Sequence, residues 1–330
     1  MAEYRGIEGA AVQSLANNTG TIQGQIWYDN ATTAFKLETV TASATWASGT
    51  SLPGPRDYGG QAGLQTAAIF AGGTPGAPNT SFTYNGSTWT ATNNLGTGTS
   101  IGCMMGTQTL AVMAGTSRSS SPYSGSTATE EWDGTNWTNG GALNTARYGV
   151  FSGGTQTAAV IAGGSGPATY FDDTEEYNGS SWTSVTNMPG NTGNGTSGAD
   201  LQTDMYCVGG GPGNKTTSLV YDGTNWTTGV SLSGAGRRGC GGAMATSSGL
   251  GFVAGGETAT VNPITTTEEW NGTSFSSSTA IPTATRDPAK GDGGTGAAGL
   301  FSGGTTSGVT SNVFEFTGGG VAETRTITTS

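Results

Sequence analysis

The chain has 330 residues, a net charge of −11 and a pI near 4.3, with 60 glycines and only 10% charged residues. Its only lysines are Lys36, Lys215 and Lys290. The clustered positive charge that nucleic acid or an anionic membrane surface requires is therefore missing, which excludes both as partners, and so few Lys, Glu and Arg exclude helix as the main element.

The N-terminal segment MAEYRGIEGAAVQSL lacks a basic stretch followed by an apolar one, so no secretory signal is expected. No run of about 18 apolar residues predicts a membrane-spanning helix. The expectation is a chain that works inside a cell or leaves it within a virus particle. Residues 1–40 stand outside the pattern that follows. Within them QGQIWYDNATTAFKLETV predicts a hairpin, with strands over 23–28 and 35–40 and a turn at Asp29-Asn30.

From residue 41 to 330 the chain repeats itself. An apolar run closed by Gly-Gly ends at Gly73, Gly164, Gly210, Gly256 and Gly304, with a weaker copy, TLAVMAG, ending at Gly115. A second kernel follows each run: FTYNGSTW, EEWDGTNW, EEYNGSSW, LVYDGTNW, EEWNGTSF and FEFTGGGV. Asn-Gly or Asp-Gly between two β-type runs predicts a tight hairpin, because that turn needs positive φ. A third kernel opens most repeats and carries an arginine: Arg56, Arg147, the pair Arg237-Arg238, and Arg286. Each repeat thus predicts four short strands, a to d, in about 45 residues. One such unit cannot bury both of its faces, and a ring of them can. Two segments compete to close that ring as a strand d, the one ending at Trp46 and the one from Val321 onward.

The Gly-Gly after strand b, the later aromatic, the Asn/Asp-Gly turn and the Trp together resemble kelch repeats, as in galactose-oxidase-like propellers. The resemblance covers about residues 46–321. It implies an all-β, six-bladed β-propeller of kelch-like four-stranded repeats with a short N-terminal β extension. The IWY strand, Asn/Asp turn and Lys-Leu strand of residues 1–40 are similar to β segments in fibre and appendage proteins of tailed phages, and the Gly/Thr-rich repeats resemble virion proteins of marine phages. That implies a non-enzymatic particle subunit (fibre, spike or capsid decoration) held to other virion proteins through residues 1–40. The alternatives are a kelch-type protein-interaction module and a carboxylate-dependent glycan hydrolase.

Histidine is absent. The usual general base and the usual copper or zinc ligand are missing, so no catalytic residue, metal or cofactor is expected, and the copper chemistry of galactose-oxidase-like proteins does not carry over. Cys103, Cys207 and Cys240 are widely spaced and odd in number, as buried small hydrophobes are. The Glu pairs 130-131, 175-176 and 268-269 recur at equivalent places and read as solvated strand residues. Asp172-Asp173 breaks the repeat and is the one candidate acidic site.

Strand alternation puts the long, dissimilar b–c loops on the same face as the d–a connections. Arg56, Arg147, Arg238 and Arg286 are expected to ring the channel mouth there and to grip an anionic sugar or carboxylate of a cell-surface glycan. Tyr123 and Tyr170 are expected to stack on sugar rings from the b–c loops.

Overall fold

The computed structural model describes residues 13–15, 26–29, 34–40, 43–119, 122–245, 249–291, 294–319 and 322–326. Among these residues there is no helix, and hence none long and apolar enough to cross a membrane. The chain divides into two compact units, residues 1–44 with 318–330, and residues 45–317.

In the first unit β1 (Gln13–Leu15) runs parallel to β2 (Ile26–Asp29), which pairs antiparallel with β3 (Ala34–Val40). The hairpin expected over residues 23–40 corresponds to β2 and β3. Its far edge is taken by a strand from the other end of the chain, Ala322–Thr326, antiparallel to β3. The sequence reading assigned that segment to the repeat domain, whereas here it belongs with the N-terminal strands.

The second unit opens with β4 (Thr45–Ser48). Two antiparallel meanders follow: β5 (Gly60–Leu64), β6 (Ala67–Ala71), β7 (Ser81–Tyr84) and β8 (Trp89–Ala91), then β9 (Ile101–Gly106), β10 (Ala111–Ser117), β11 (Glu130–Trp132) and β12 (Trp137–Asn139). Three four-stranded sheets come next: β13 (Phe151–Thr155) to β16 (Trp182–Ser184) through β14 (Ala158–Ala162) and β15 (Thr174–Tyr177); β17 (Thr196–Leu201) to β20 (Trp226–Thr228) through β18 (Asp204–Val208) and β19 (Ser218–Tyr221); and β21 (Gly241–Ala245) to β24 (Phe275–Ser278) through β22 (Leu250–Ala254) and β23 (Thr267–Trp270). The last repeat supplies β25 (Lys290–Gly291), β26 (Gly294–Thr295), β27 (Ala298–Ser302) and β28 (Val313–Thr317). β29 is the Ala322–Thr326 strand of the first unit.

The inner strands pack on one another in the cyclic order β5, β9, β13, β17, β21, β26 and back to β5. The ring is closed by β4, which pairs with β28 as its outermost strand, with Trp46 opposite Phe316. Of the two competing segments, the one ending at Trp46 therefore does the closing. β25 departs from the pattern. Lys290 and Gly291 pair in parallel with both β5 and β9, which joins the first two meanders into one nine-stranded sheet.

The repeated residues explain why this arrangement holds. At each hairpin the Asn or Asp carboxyl or amide oxygen accepts two backbone N–H groups, as Asn85 Oδ1 does from Ser87 (3.0 Å) and Thr88 (2.8 Å). Each Trp then reaches back one repeat: the Nε1 of Trp137, Trp182 and Trp226 donates to the hydroxyl of Ser81, Thr129 and Thr174. The a–b turns carry glutamines that do the same on the inside, Gln202 Nε2 bridging the carbonyls of Ala159 and Tyr177, each at 2.8 Å. Between neighbouring sheets lie apolar clusters such as Phe151, Val160, Met188, Met205, Cys207 and Tyr221, all buried. A fully buried aliphatic or aromatic side chain of this kind contributes about 1.5–3 kcal/mol. All three cysteines are free and buried, as expected.

Candidate functional site at the channel mouth

Each repeat enters its strand a through three residues fixed by a recurring backbone bridge. Asp57 bridges Thr74, Tyr148 bridges Ser165, Gly193 bridges Gly211, Arg238 bridges Glu257 and Arg286 bridges Thr305. Ser100 holds the same place, its N–H donating to the Ser117 carbonyl at 2.7 Å. One residue earlier in each repeat stand Arg56, Thr99, Arg147, Thr192, Arg237 and Thr285. One residue later stand Tyr58, Ile101, Gly149, Asn194, Gly239 and Asp287.

The earlier set turns into the sheets. Arg147 is fully buried, with a guanidinium nitrogen 3.1 Å from Glu175 and another 3.9 Å from Asp173. Arg237 is buried against Glu268 in the same manner. The carboxylates also accept backbone N–H groups, Glu175 from Asn144 (2.7 Å) and Glu268 from Ser233 (2.7 Å). Glu130 lacks an arginine at this position, Thr99 standing there, and takes Arg118 at 3.4 Å instead. Arg56 has no such carboxylate, because Phe82 holds the Glu position, and its guanidinium folds back onto the Pro55 carbonyl at 2.9 Å. Burial of the Arg147 guanidinium lowers its pKa, with Glu175 and Asp173 opposing the shift. Arg56 and Arg147 are therefore not mouth residues. Their side chains sit one register position away from those of Arg238 and Arg286. The Glu pairs are not solvated either: Glu130, Glu175 and Glu268 are buried, and their neighbours Glu131 and Glu176 accept the hydroxyls of Tyr177 and Tyr221 from the next repeat.

The later set forms a belt. The N–H of Asn194 donates to the carbonyl of Gly149 (2.8 Å), Gly239 to Asn194 (2.7 Å), Asp287 to Gly239 (2.7 Å) and Tyr58 to Asp287 (2.9 Å). The geometry of the belt requires the left-handed backbone region, with φ of 56° at Tyr58, 60° at Gly149, 58° at Asn194, 61° at Gly239 and 53° at Asp287.

Above this belt lies a cavity of about 190 Å³. Tyr58, Tyr123 and Tyr148 form its aromatic wall, Tyr123 standing edge-on to Tyr58 at 6.1 Å and tilted against Tyr148 at 5.8 Å. Arg238, Glu257, Arg286, Asp287 and Asn194 form its polar side. The charges there are paired: Arg238 Nε to Glu257 at 2.6 Å, and Arg286 to Asp287 at 2.5 Å and to Glu257 at 3.9 Å. Burial raises the Asp287 carboxyl above its usual range against the pull of Lys290, Tyr58 and Arg286. Burial, then the Asp287 charge and hydrogen bond, pushes the Tyr58 hydroxyl far up, so it stays a protonated donor. Tyr170 lies outside the cavity lining and hydrogen-bonds Arg238 from the side.

Of the expected residues, then, Tyr123, Arg238 and Arg286 meet at the mouth. Tyr58, Tyr148, Asn194, Glu257 and Asp287 were missed. Their signal was positional, a fixed offset from the arginine kernel and from the Gly-Gly. Asp172 and Asp173 line none of the cavities described here; they engage Asn187 (3.4 Å) and Arg147 (3.9 Å) respectively. Among the described residues no group of three acidic or cysteine side chains is placed to hold a metal. Below the belt a space of about 10 Å³ lies among Cys103, Thr196, Gly242 and Lys290, whose Nζ donates to the Cys240 carbonyl at 2.7 Å, and a wider cavity of about 330 Å³ opens at the a–b turns among Leu64, Gln108, Thr155 and Thr295.

No protein-family model matches the chain, and no curated protein matches it. Among solved structures the chain resembles the structure of YjhT, with a TM-score of 0.64 and 11% identity, over 85% of this chain and 99% of that one. At that identity the likeness concerns the fold alone, a β-propeller.

Proposed function

We propose that residues 45–317 are a six-bladed propeller, the nine-stranded sheet being two blades bridged by β25, and that it is a non-enzymatic recognition module binding a sugar residue of a glycan at the mouth. The observation that carries this reading is the convergence of three tyrosines with two arginine–carboxylate pairs in one cavity. A sugar ring presents apolar C–H faces to aromatic rings and hydroxyls to planar charged groups. Because the arginines are already neutralised by Glu257 and Asp287, the site favours a neutral polyhydroxylated ligand over the anionic one expected from the sequence. Its volume, below the roughly 300–1,000 Å³ of drug-sized pockets, suits one ring. The non-catalytic part of the reading is supported by the engagement of both mouth carboxylates by arginine.

The test is a glycan array followed by calorimetry on the best ligand. Tyr123→Ala is expected to weaken that ligand by about two- to tenfold, since aromatic stacking of this kind is worth around 0.5–1.5 kcal/mol beyond area burial. Unchanged affinity would remove the mouth from the reading.

The finer proposal, a virus-particle subunit held through residues 1–40, rests on the sequence likeness of that segment and is tested by mass spectrometry of purified particles. A second reading, a protein-interaction module, is favoured by Leu64, Leu110 and Leu201, which stand 51–57% exposed at the a–b turns opposite the mouth. Cross-linking in a native extract separates the two.

A further inference from the structure

We infer that Asn194 and Asp287 are the specificity-determining side chains of the mouth, and that each receives a hydroxyl group of the sugar. This deepens the glycan reading and rests on it.

The argument starts from the belt. Five repeats place a residue there in the left-handed region, and two of them use glycine, Gly149 and Gly239, the residue with no steric penalty in that region. The same backbone is forced on Tyr58, Asn194 and Asp287. Side chains in that region are uncommon, and they persist where surrounding structure holds them and a task requires them. The packing shows how they are accommodated. A Cβ at Gly149 would lie 2.0 Å from Asn194 Oδ1, and one at Gly239 would lie 2.5 Å from Asp287 Oδ1. Each glycine clears space for the polar side chain of the repeat after it. These polar groups lie along the belt and line the cavity.

Neither group is at its structural best. The side-chain amide oxygen Oδ1 of Asn194 is buried without a hydrogen-bond partner in this structure. Asp287 is buried at 4% exposure, with Arg286, Tyr58, Lys290 and Asp57 as the charged or titratable groups facing it. A buried acceptor without a donor lowers stability. The Asp287 carboxylate already accepts from Arg286 at 2.5 Å on one oxygen, and a carboxylate has room for further donors. A ligand hydroxyl offers the Asn194 oxygen its first donor and Asp287 an additional one. Tyr58 differs, because its ring packs on Tyr123 and its hydroxyl on Asp287, which gives it a structural role as well.

The experiment compares wild type with Asp287→Asn and Asn194→Gly in two arms. In thermal unfolding without ligand, Asn194→Gly is not expected to melt below wild type, and Asp287→Asn is expected to lose only the small share due to its partly exposed Arg286 partner, which keeps Glu257. In calorimetry with the glycan selected by the array, each is expected to weaken binding by about tenfold or more, the loss of one hydrogen bond to a charged or buried group. A fall in melting temperature with affinity retained would overturn the inference and make both residues structural. If no glycan binds wild type, the glycan reading falls, and the thermal arm still decides whether these side chains are held at a cost to stability. Asp287→Asn keeps the shape and the left-handed tolerance, so it guards against a variant that fails to fold.

Discussion

Replacing Glu175 by Leu should expose the energetic logic of the alternating Arg/Thr position. Glu175 is 1% exposed and is the near partner of Arg147, itself at 0%. Removing it leaves a buried guanidinium with only Asp173, 3.9 Å away. Stranding one member of a buried pair costs about 3–5 kcal/mol. At about 2–4 °C per kcal/mol for domains of 150–250 residues, the melting point should fall by roughly 10 °C. The molecule supplies its own control. In the fourth repeat the two positions are Thr192 and Leu219, and in the sixth Thr285 and Phe314, so the fold already accommodates the pair's replacement. The double variant Arg147→Thr, Glu175→Leu copies the fourth repeat. It loses the two backbone N–H contacts that Glu175 accepts from Asn144 and Thr145, at about 1 kcal/mol each, but strands no charge. The full cycle, read by urea unfolding, should show a coupling of about 2 kcal/mol or more. A Glu175→Leu variant within about 1 kcal/mol of wild type, or a double variant equal to the sum of the singles, would refute the reasoning.

Tyr177, buried beside Glu131, has its hydroxyl pushed up to about 12, first by burial and then by its hydrogen bond to that carboxylate. Its contribution is present below the ordinary tyrosine pKa near 10 and is lost as pH rises through about 12; Tyr177→Phe should flatten that part of an alkaline stability profile. Gly291→Ala should destabilise the ring markedly. The residue has a φ of 124°, and a Cβ there would lie 2.1 Å from the Met104 carbonyl and 2.3 Å from that of Gln61; a lower unfolding midpoint checks it, and wild-type stability would contradict it. Burial raises Cys103 to about 11 and Cys207 and Cys240 above their ordinary value. A thiol reagent should therefore label none of the three until denaturant is added.

The repeat was legible because its kernels are local: Gly-Gly, the Asn/Asp-Gly turn and the paired aromatics each act within a few residues of chain. The fate of the arginines was not. Arg147 and Arg238 occupy visually similar kernels, RYG and RGC, yet they differ by one residue in register, and along an extended chain one residue exchanges inside for outside. The bridges Tyr148–Ser165 and Arg238–Glu257 fix that register, and they span 17 and 19 positions. The Glu pairs misled for a related reason. Each glutamate is a surface residue by composition, but Glu175 and Glu268 face buried arginines and Glu131 and Glu176 a tyrosine of the next repeat, contacts visible only once the ring is assembled. Tyr58 and Asp287 carried no mark beyond their offset, since a left-handed φ on a non-glycine residue has no signature in sequence.

The seam of the ring has a kinetic meaning. β4 and β28 are held only by hydrogen bonds and packing, so opening there amounts to an intramolecular dissociation. Thr45 stands opposite Thr317 in that ladder, so the seam joins the two ends of the propeller and is the pairing of longest sequence separation in it. A long loop makes closure slow to find by diffusion of a free chain. Once the intervening repeats have stacked, they hold β4 and β28 near each other, and a frayed seam re-pairs without a second molecule.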